Sequence, residues 1–319
     1  MSQLIIVFFV GFLFLGIAFF LGPKVSLEIT ENLPEIPDDI TAYLEKSESQ
    51  YTDIQPDTEK SVIWVDEKRK NRTKVSLVYI HGFSATRQEV SPLVENIAKE
   101  LSANVFFTRI TGHGRSNDAM SEVSLNTMIN DGLEALEVGK KIGEQVLLIG
   151  NSTGATLITW LAAKKNMINI LGLVLMSPNY ALKNKKSKWL LLPWAEYFIP
   201  LIENPTYRFE PANPLQAKYW TYEYPVNALF SMVALVSVTS KLNLEQIKLP
   251  TLVLYSEDDA VIDVGEIKTT FPKLGSATKK LIEVKGTQGK QHHVVAGDIL
   301  SPGTTEFVKH EILTFIKSI

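Results

Sequence analysis

Gln145-Val-Leu-Leu-Ile-Gly150-Asn-Ser152-Thr-Gly154-Ala-Thr-Leu-Ile-Thr-Trp-Leu-Ala162 is the stretch that decides how this chain is built. An apolar β-branched run meets a corner in which two glycines flank a serine, and an apolar run of helix length follows. The predicted order is a buried strand, a turn too tight for large side chains, and a helix. On such a corner the serine hydroxyl stands exposed above the sheet edge, while Gly150 and Gly154 relieve crowding on either side. Ser152 is therefore a candidate nucleophile; the plain alternative is a serine that caps the helix. The pattern G-x-S-x-G is a weak signal by itself, so the flanking strand and helix carry the reading.

Outward from that corner, strands and helices alternate. Strands are predicted over 61–65, 75–80, 104–110, 145–150, 170–176, 251–255 and 280–284, several as continuous apolar runs of the kind covered on both faces. Amphipathic helices are predicted over 89–101, 128–142, 155–163 and 305–319; the first places Val90, Leu93, Val94, Ile97 and Leu101 on one face. This alternation predicts an α/β fold, a mostly parallel central sheet flanked by helices. It breaks between 182 and 248. That stretch opens with Lys183, Lys185, Lys186 and Lys188 and is dense in aromatics from Trp189 to Tyr224. Too long for a loop, it is read as an inserted helical cap whose aromatics form a small core, face a substrate, or both.

The chain has 319 residues, a formal net charge of -3 and no cysteine. The first suits one α/β domain with an insertion, and the charge, with no long basic run, excludes a nucleic-acid partner. Absence of cysteine excludes disulfides, a thiol nucleophile and thiolate metal sites. Residues 4–21 are apolar or glycine and, as a helix, would reach about 27 Å, close to a bilayer's hydrocarbon thickness. With no positive leader region and no clear cleavage site, they are read as an uncleaved signal-anchor. Lys24 is the only basic residue near either end of the run and acidic residues count for little in orientation, so a catalytic domain outside the cytoplasm is only a modest preference. A short strand is expected at 25–29 and a short helix near Ile40, Tyr43 and Leu44. The expected organisation is an anchor over 1–23, an acidic tether over 24–60, a core over 61–181, the cap over 182–248, and the rest of the core over 249–319.

A serine hydroxyl needs a neighbouring base, itself oriented by a third group. Five histidines are available. His81 and His113 sit in turns after strands, and His310 lies within the last helix. His292 and His293 follow the last predicted strand, where a base would reach the carboxyl edge of the sheet. The orienting acid is expected after an intermediate strand. Met176-Ser-Pro-Asn179 has none, whereas Ser256-Glu257-Asp258-Asp259-Ala-Val-Ile-Asp263 is rich in them. Serine, then acid, then histidine is the chain order of α/β-hydrolases.

From about 60 to 319 the chain resembles α/β-hydrolases of the monoacylglycerol lipase and lysophospholipase type. The resemblance rests on His81-Gly82-Phe83, Gly112-His113-Gly114-Arg115-Ser116, Gly150-Asn151-Ser152-Thr153-Gly154, Ser256-Glu257-Asp258-Asp259-Ala260-Val261 and His293-Val294-Val295. In that family the acid stands three residues after a small residue and two before a valine, which selects Asp259. The base precedes an apolar pair, which selects His293. The resemblance implies that Ser152 attacks an acyl carbonyl, His293 moves the proton and Asp259 orients the imidazole. It implies an oxyanion hole from the backbone N–H groups of Phe83 and Thr153. His81, His113 and Arg115 are read as loop-shaping, and Glu257, Asp258 and Asp263 as solvated.

No histidine–carboxylate spacing suggests a metal, and no dinucleotide-binding glycine pattern follows a strand, so no cofactor is expected. The expected activity is that of a membrane-anchored serine hydrolase cleaving carboxylic esters: an acylglycerol, a lysophospholipid or a similar lipid-like amphiphile. The same three residues would equally serve an amidase or peptidase, a thioesterase or an acyltransferase. A non-catalytic membrane-tethered binding module is the remaining reading.

Overall fold

A computed structural model describes residues 13, 14 and 16–319. Seven strands form the central sheet: β1 (Ser61–Ile63), β2 (Thr73–Ile80), β3 (Asn104–Phe107), β4 (Gly143–Asn151), β5 (Ile170–Met176), and, beyond a two-stranded excursion of β6 (Thr206–Arg208) and β7 (Glu223–Pro225), β8 (Thr251–Tyr255) and β9 (Lys279–Glu283). Their spatial order is β1-β3-β2-β4-β5-β8-β9, antiparallel only at β1. The chain thus has an α/β fold whose largely parallel sheet is flanked by helices, with a helical insertion.

Side chains alternate along each strand, so the sheet feeds two cores. Val78, Ile80 and Leu148 pack under helices Leu125–Ile142 and Thr153–Lys164. Leu77, Tyr79, Leu147 and Ile149 pack under helices Leu93–Leu101 and Thr305–Lys317. Burial on both faces explains why these strands read as continuous apolar runs. The register sets Gly150 beside Ile80 on one side and Leu175 on the other, and Asn151 beside Met176. The turns after β2, β4 and β5 therefore converge at one edge.

Several expectations need correction. The helix expected over 89–101 begins only at Leu93. Pro92 disfavours helical geometry at Ser91, and Arg87–Glu89 forms a separate 3-10 turn. No strand forms at 25–29. Val25, Leu27 and Ile29 pack against the core in extended chain, but the N–H groups of Thr30 and Asn32 are taken by the side chains of Asn126 and Asn130, not by a neighbouring strand. The cap contains the hairpin β6–β7 besides its helices. It has a small core of Leu190, Ala195, Ile199, Val226, Phe230, Met232 and Val233, while Trp189, Trp194 and Tyr197 are exposed.

The anchor is corrected too. Among the described residues no helix is long and apolar enough to cross a membrane. Residues 1–12 and 15, which make up much of the apolar run, lie outside the described residues. The end of the run is engaged by the cap: Trp194 donates its backbone N–H to Pro23 O at 2.7 Å and its indole N–H to Ala18 O at 3.4 Å. The single-pass anchor, the membrane partner and the extracytoplasmic placement inferred from it thus lose their basis.

Residues 24–60 pack on the core. Ile36, Ile40 and Leu44 are buried in it, the last two from helix Ile40–Glu48. That helix ends in Glu48, whose two carboxylate oxygens each accept a hydrogen bond from Arg109 at 2.8 Å. Both side chains are nearly sealed from water. Removing one partner leaves a buried, unpaired charge, which costs about 3–5 kcal/mol. Glu48→Ala is expected to lower the unfolding free energy by that amount, read as a lower urea midpoint with an unchanged denaturant slope. A loss under about 1 kcal/mol would show the pair to be dispensable.

Candidate active site

Ser152 sits between β4 and helix Thr153–Lys164 with φ 53° and ψ -116°, a strained region for a residue with a side chain. Its neighbours hold it there. Its N–H donates to Met176 O at 2.9 Å, and its carbonyl accepts from Thr156 N–H at 3.1 Å and Asn179 N–H at 3.2 Å. The helix can follow so abruptly because residue 154 is glycine. A Cβ there would lie 2.0 Å from Ile80 O, so no other residue fits.

The turn after β2 runs alongside. A Cβ placed on Gly82 would lie 3.3 Å from Ser152 Cβ, which puts the His81-Gly82-Phe83 turn against the serine. Among the described residues, no protein acceptor takes the backbone N–H of Phe83 or of Thr153. The Phe83 ring meets His113 and the cap's Tyr224 edge-on, with centroids 5.1 and 5.8 Å away. Thr221 donates its N–H to Ser84 O at 2.8 Å. The cap is thereby docked onto this turn.

Asp259 and His293 are brought together: Asp259 Oδ2 lies 2.7 Å from His293 Nδ1. The other oxygen, Oδ1, accepts the N–H groups of Val261 and Ile262 at 2.8 and 3.0 Å. Glu257 and Asp258 are exposed, and Asp263 caps helix Val264–Thr270 and pairs with Lys185. His292 is turned to Thr287, its Nδ1 2.9 Å from the carbonyl oxygen. Burial opposes a charged His293 ring, but the Asp259 carboxylate outweighs it, with a smaller contribution from Glu89, and the pKa rises above its usual 6.5. That suits a base whose imidazolium must be stabilised during turnover.

The other buried histidines behave differently. His81 donates from Nδ1 to Gly82 O at 2.8 Å and accepts Ile110 N–H on Nε2 at 3.1 Å. Burial, with neighbouring His113, drops its pKa to about 3. Burial likewise drops that of His113 to about 4. Both are neutral struts near pH 7. Arg115 bonds Asp53 and Glu122 at 2.8 and 2.7 Å and stacks over Tyr51, so it shapes its loop. His310 is exposed on the last helix.

Three participants escaped the sequence reading. Ser177 Oγ donates to the backbone oxygen of His293 at 2.6 Å, and Asn179 holds Ser152 as described. The strand end 176–179, noted in sequence only for lacking an acid, therefore joins the serine corner to the histidine loop. Glu89 is the third. It is 1% exposed and accepts hydrogen bonds from Tyr79, Gly82 and Asn151. Pro92 was the available signal, because it ends the helix short of Glu89 and leaves that carboxyl free to turn inward. Among the described residues, no group of histidines and carboxylates could hold a metal ion.

A strained serine corner on a parallel sheet, joined through Ser177 to the loop of a buried acid–histidine pair, defines a serine hydrolase of the α/β-hydrolase class. Residues 71–294 match the Hydrolase_4 family, described as serine aminopeptidase, S33, and the chain belongs to that family. It is 25% identical over 256 residues to a thermostable monoacylglycerol lipase of Bacillus sp. (strain H-257), covering 74% of this chain and 91% of the relative. Among solved structures, a metagenome-derived lipolytic enzyme superposes with a TM-score of 0.68 at 19% identity, over 83% of this chain and 100% of the other. The monoacylglycerol lipase of Paleococcus ferrophilus superposes with 0.60 at 17% identity, over 82% and 99%. These likenesses support the fold.

With His293 as base, the neutral ring is the active form. Activity should fall as pH drops through a midpoint above 6.5. Asp259→Asn is expected to cut kcat by about 10⁴-fold, since the imidazole loses its tautomer and its counter-charge. Steady-state rates between pH 5 and 9 check both; a midpoint below 6 in the parent protein would remove His293 from the role.

Proposed function

We propose that the chain hydrolyses carboxylic esters through an acyl-enzyme on Ser152. The observation that supports this most is the pairing of Asp259 with His293 on a loop tied by Ser177 to the strand end that also fixes the strained Ser152. In the first half-reaction Ser152 Oγ bonds to the carbonyl carbon while its proton passes to His293. The carbon–oxygen bond to the alcohol then breaks, and the alcohol leaves with that proton. Water repeats the sequence on the acyl-enzyme and releases the acid. The backbone N–H groups of Phe83 and Thr153 are assigned to the developing oxyanion, where one donor is worth about 3–4 kcal/mol. Asp259 keeps the imidazole oriented and stabilises its cationic form.

The substrate class proposed is an ester with a lipid-like acyl chain. The bacterial relative is named a monoacylglycerol lipase, and in this chain an insertion with its own apolar core lies against the candidate oxyanion turn. The family description names an aminopeptidase, so amide cleavage is the competing chemistry.

Ser152→Ala is expected to remove turnover of short p-nitrophenyl esters by at least about 10⁴-fold, leaving only residual hydrolysis. Matched ester, amide and thioester substrates with the parent protein should rank the ester first in kcat/KM. Ester turnover that survives in Ser152→Ala, or a preference for the amide, would overturn the reading.

A further inference from the structure

Glu89 stands outside the three residues assigned to the reaction, yet it touches the chain on both sides of them. Its Oε1 accepts Gly82 N–H at 2.6 Å and the Tyr79 hydroxyl at 2.8 Å, and its Oε2 accepts Asn151 Nδ2 at 2.9 Å. Gly82 immediately precedes Phe83, and Asn151 immediately precedes Ser152. One carboxyl group therefore spans the candidate oxyanion turn and the serine corner. Its own segment is clamped to the histidine loop as well. Gly297 has φ +106° and packs so closely that a Cβ there would lie 2.6 Å from Glu89 O, and Asp298 donates its N–H to Ser91 O at 2.9 Å.

A carboxylate is a costly brace in so dry a place, because an amide could make equivalent bonds with no charge to desolvate. We propose that Glu89 is a positioning residue that ties the oxyanion turn to the serine corner. This rests on the catalytic reading given above.

The titratable groups around the pair are few. Tyr79 meets Glu89 from β2, Glu95 acts on Tyr79 from helix Leu93–Leu101, and Asp259 meets His293 from the loop after β8. Burial raises the pKa of Glu89 to about 7, against a smaller opposing pull from its three donors and from His293. Its charge in turn favours the protonated ring of His293.

Two substitutions separate the brace from the charge. In Glu89→Gln, Oε1 still serves Gly82 and Tyr79. Asn151 Oδ1, buried without a partner, can turn to accept from the new amide, so the brace survives without charge. Glu89→Ala removes both. The full chain carrying each change is titrated with a fluorophosphonate to count working sites, then assayed on p-nitrophenyl butyrate across pH. Amide exchange is followed at Gly82. Alanine should cut kcat per site by about 10²-fold with little change in KM and speed exchange at Gly82. Glutamine should restore exchange protection and hold kcat within about 10-fold of the parent.

Parental turnover per site in the alanine variant, or no rescue by glutamine, overturns the proposal. Where alanine unfolds the protein the glutamine variant decides: lost protection at Gly82, or more than about a 10-fold loss of kcat, overturns the proposal. Failure of the catalytic reading would look different: the parent protein would not label, while Gly82 exchange would still respond to alanine.

Discussion

The close approach of helix Thr153–Lys164 to the end of β2 is the constraint on which the rest of the site depends. Gly154 lies so near the carbonyls of Ile80 and His81 that a methyl group would overlap them. That approach leaves one residue, Ser152, to reverse the chain between strand and helix, and it does so at positive φ. The strain is tolerated because three backbone hydrogen bonds to 152 and its neighbourhood over-determine the conformation. It also brings the helix's first N–H beside the turn after β2. One packing contact thus sets the serine corner against the turn that carries Phe83.

Charge is distributed around this corner by burial. His81 and His113 are held neutral, and each uses a ring N–H to fix a turn. His293 is buried too, but Asp259 faces it and reverses the balance. The same side chain is therefore a strut in two places and a titrating group in the third. Glu89 belongs to the same pattern: a carboxyl in a dry site whose partners are backbone, amide and hydroxyl donors.

Much of the sheet was legible in the sequence because burial on both faces writes itself as long apolar runs. Strands β5 and β8 begin and end at the expected residues, and the others differ by a few residues at their ends. Local pattern misled where a tertiary partner decided. Residues 25–29 alternate like a strand, yet asparagine side chains take the backbone groups that follow. Residues 89–92 carry helical periodicity, yet Pro92 and the inward turn of Glu89 end it. The apolar run at the start suggested a bilayer by composition, a signal that is blind to Trp194 reaching Ala18 and Pro23. Within the site, Asp259 was separated from Asp258 by family resemblance, and the geometry distinguishes them by burial: Asp259 faces His293 and Asp258 faces solvent. Ser177 and Asn179 had no such signal, since their roles arise from backbone groups distant in sequence.

The central claim is that the strained corner makes Ser152 the nucleophile. Labelling the intact protein with a fluorophosphonate and locating the adduct by peptide mass spectrometry tests it most directly. The account predicts one adduct per chain, on the peptide that contains Ser152, forming more slowly as pH falls and His293 becomes protonated. An adduct on another residue, Ser84 or Ser177 for example, or a labelling rate indifferent to pH, would contradict it.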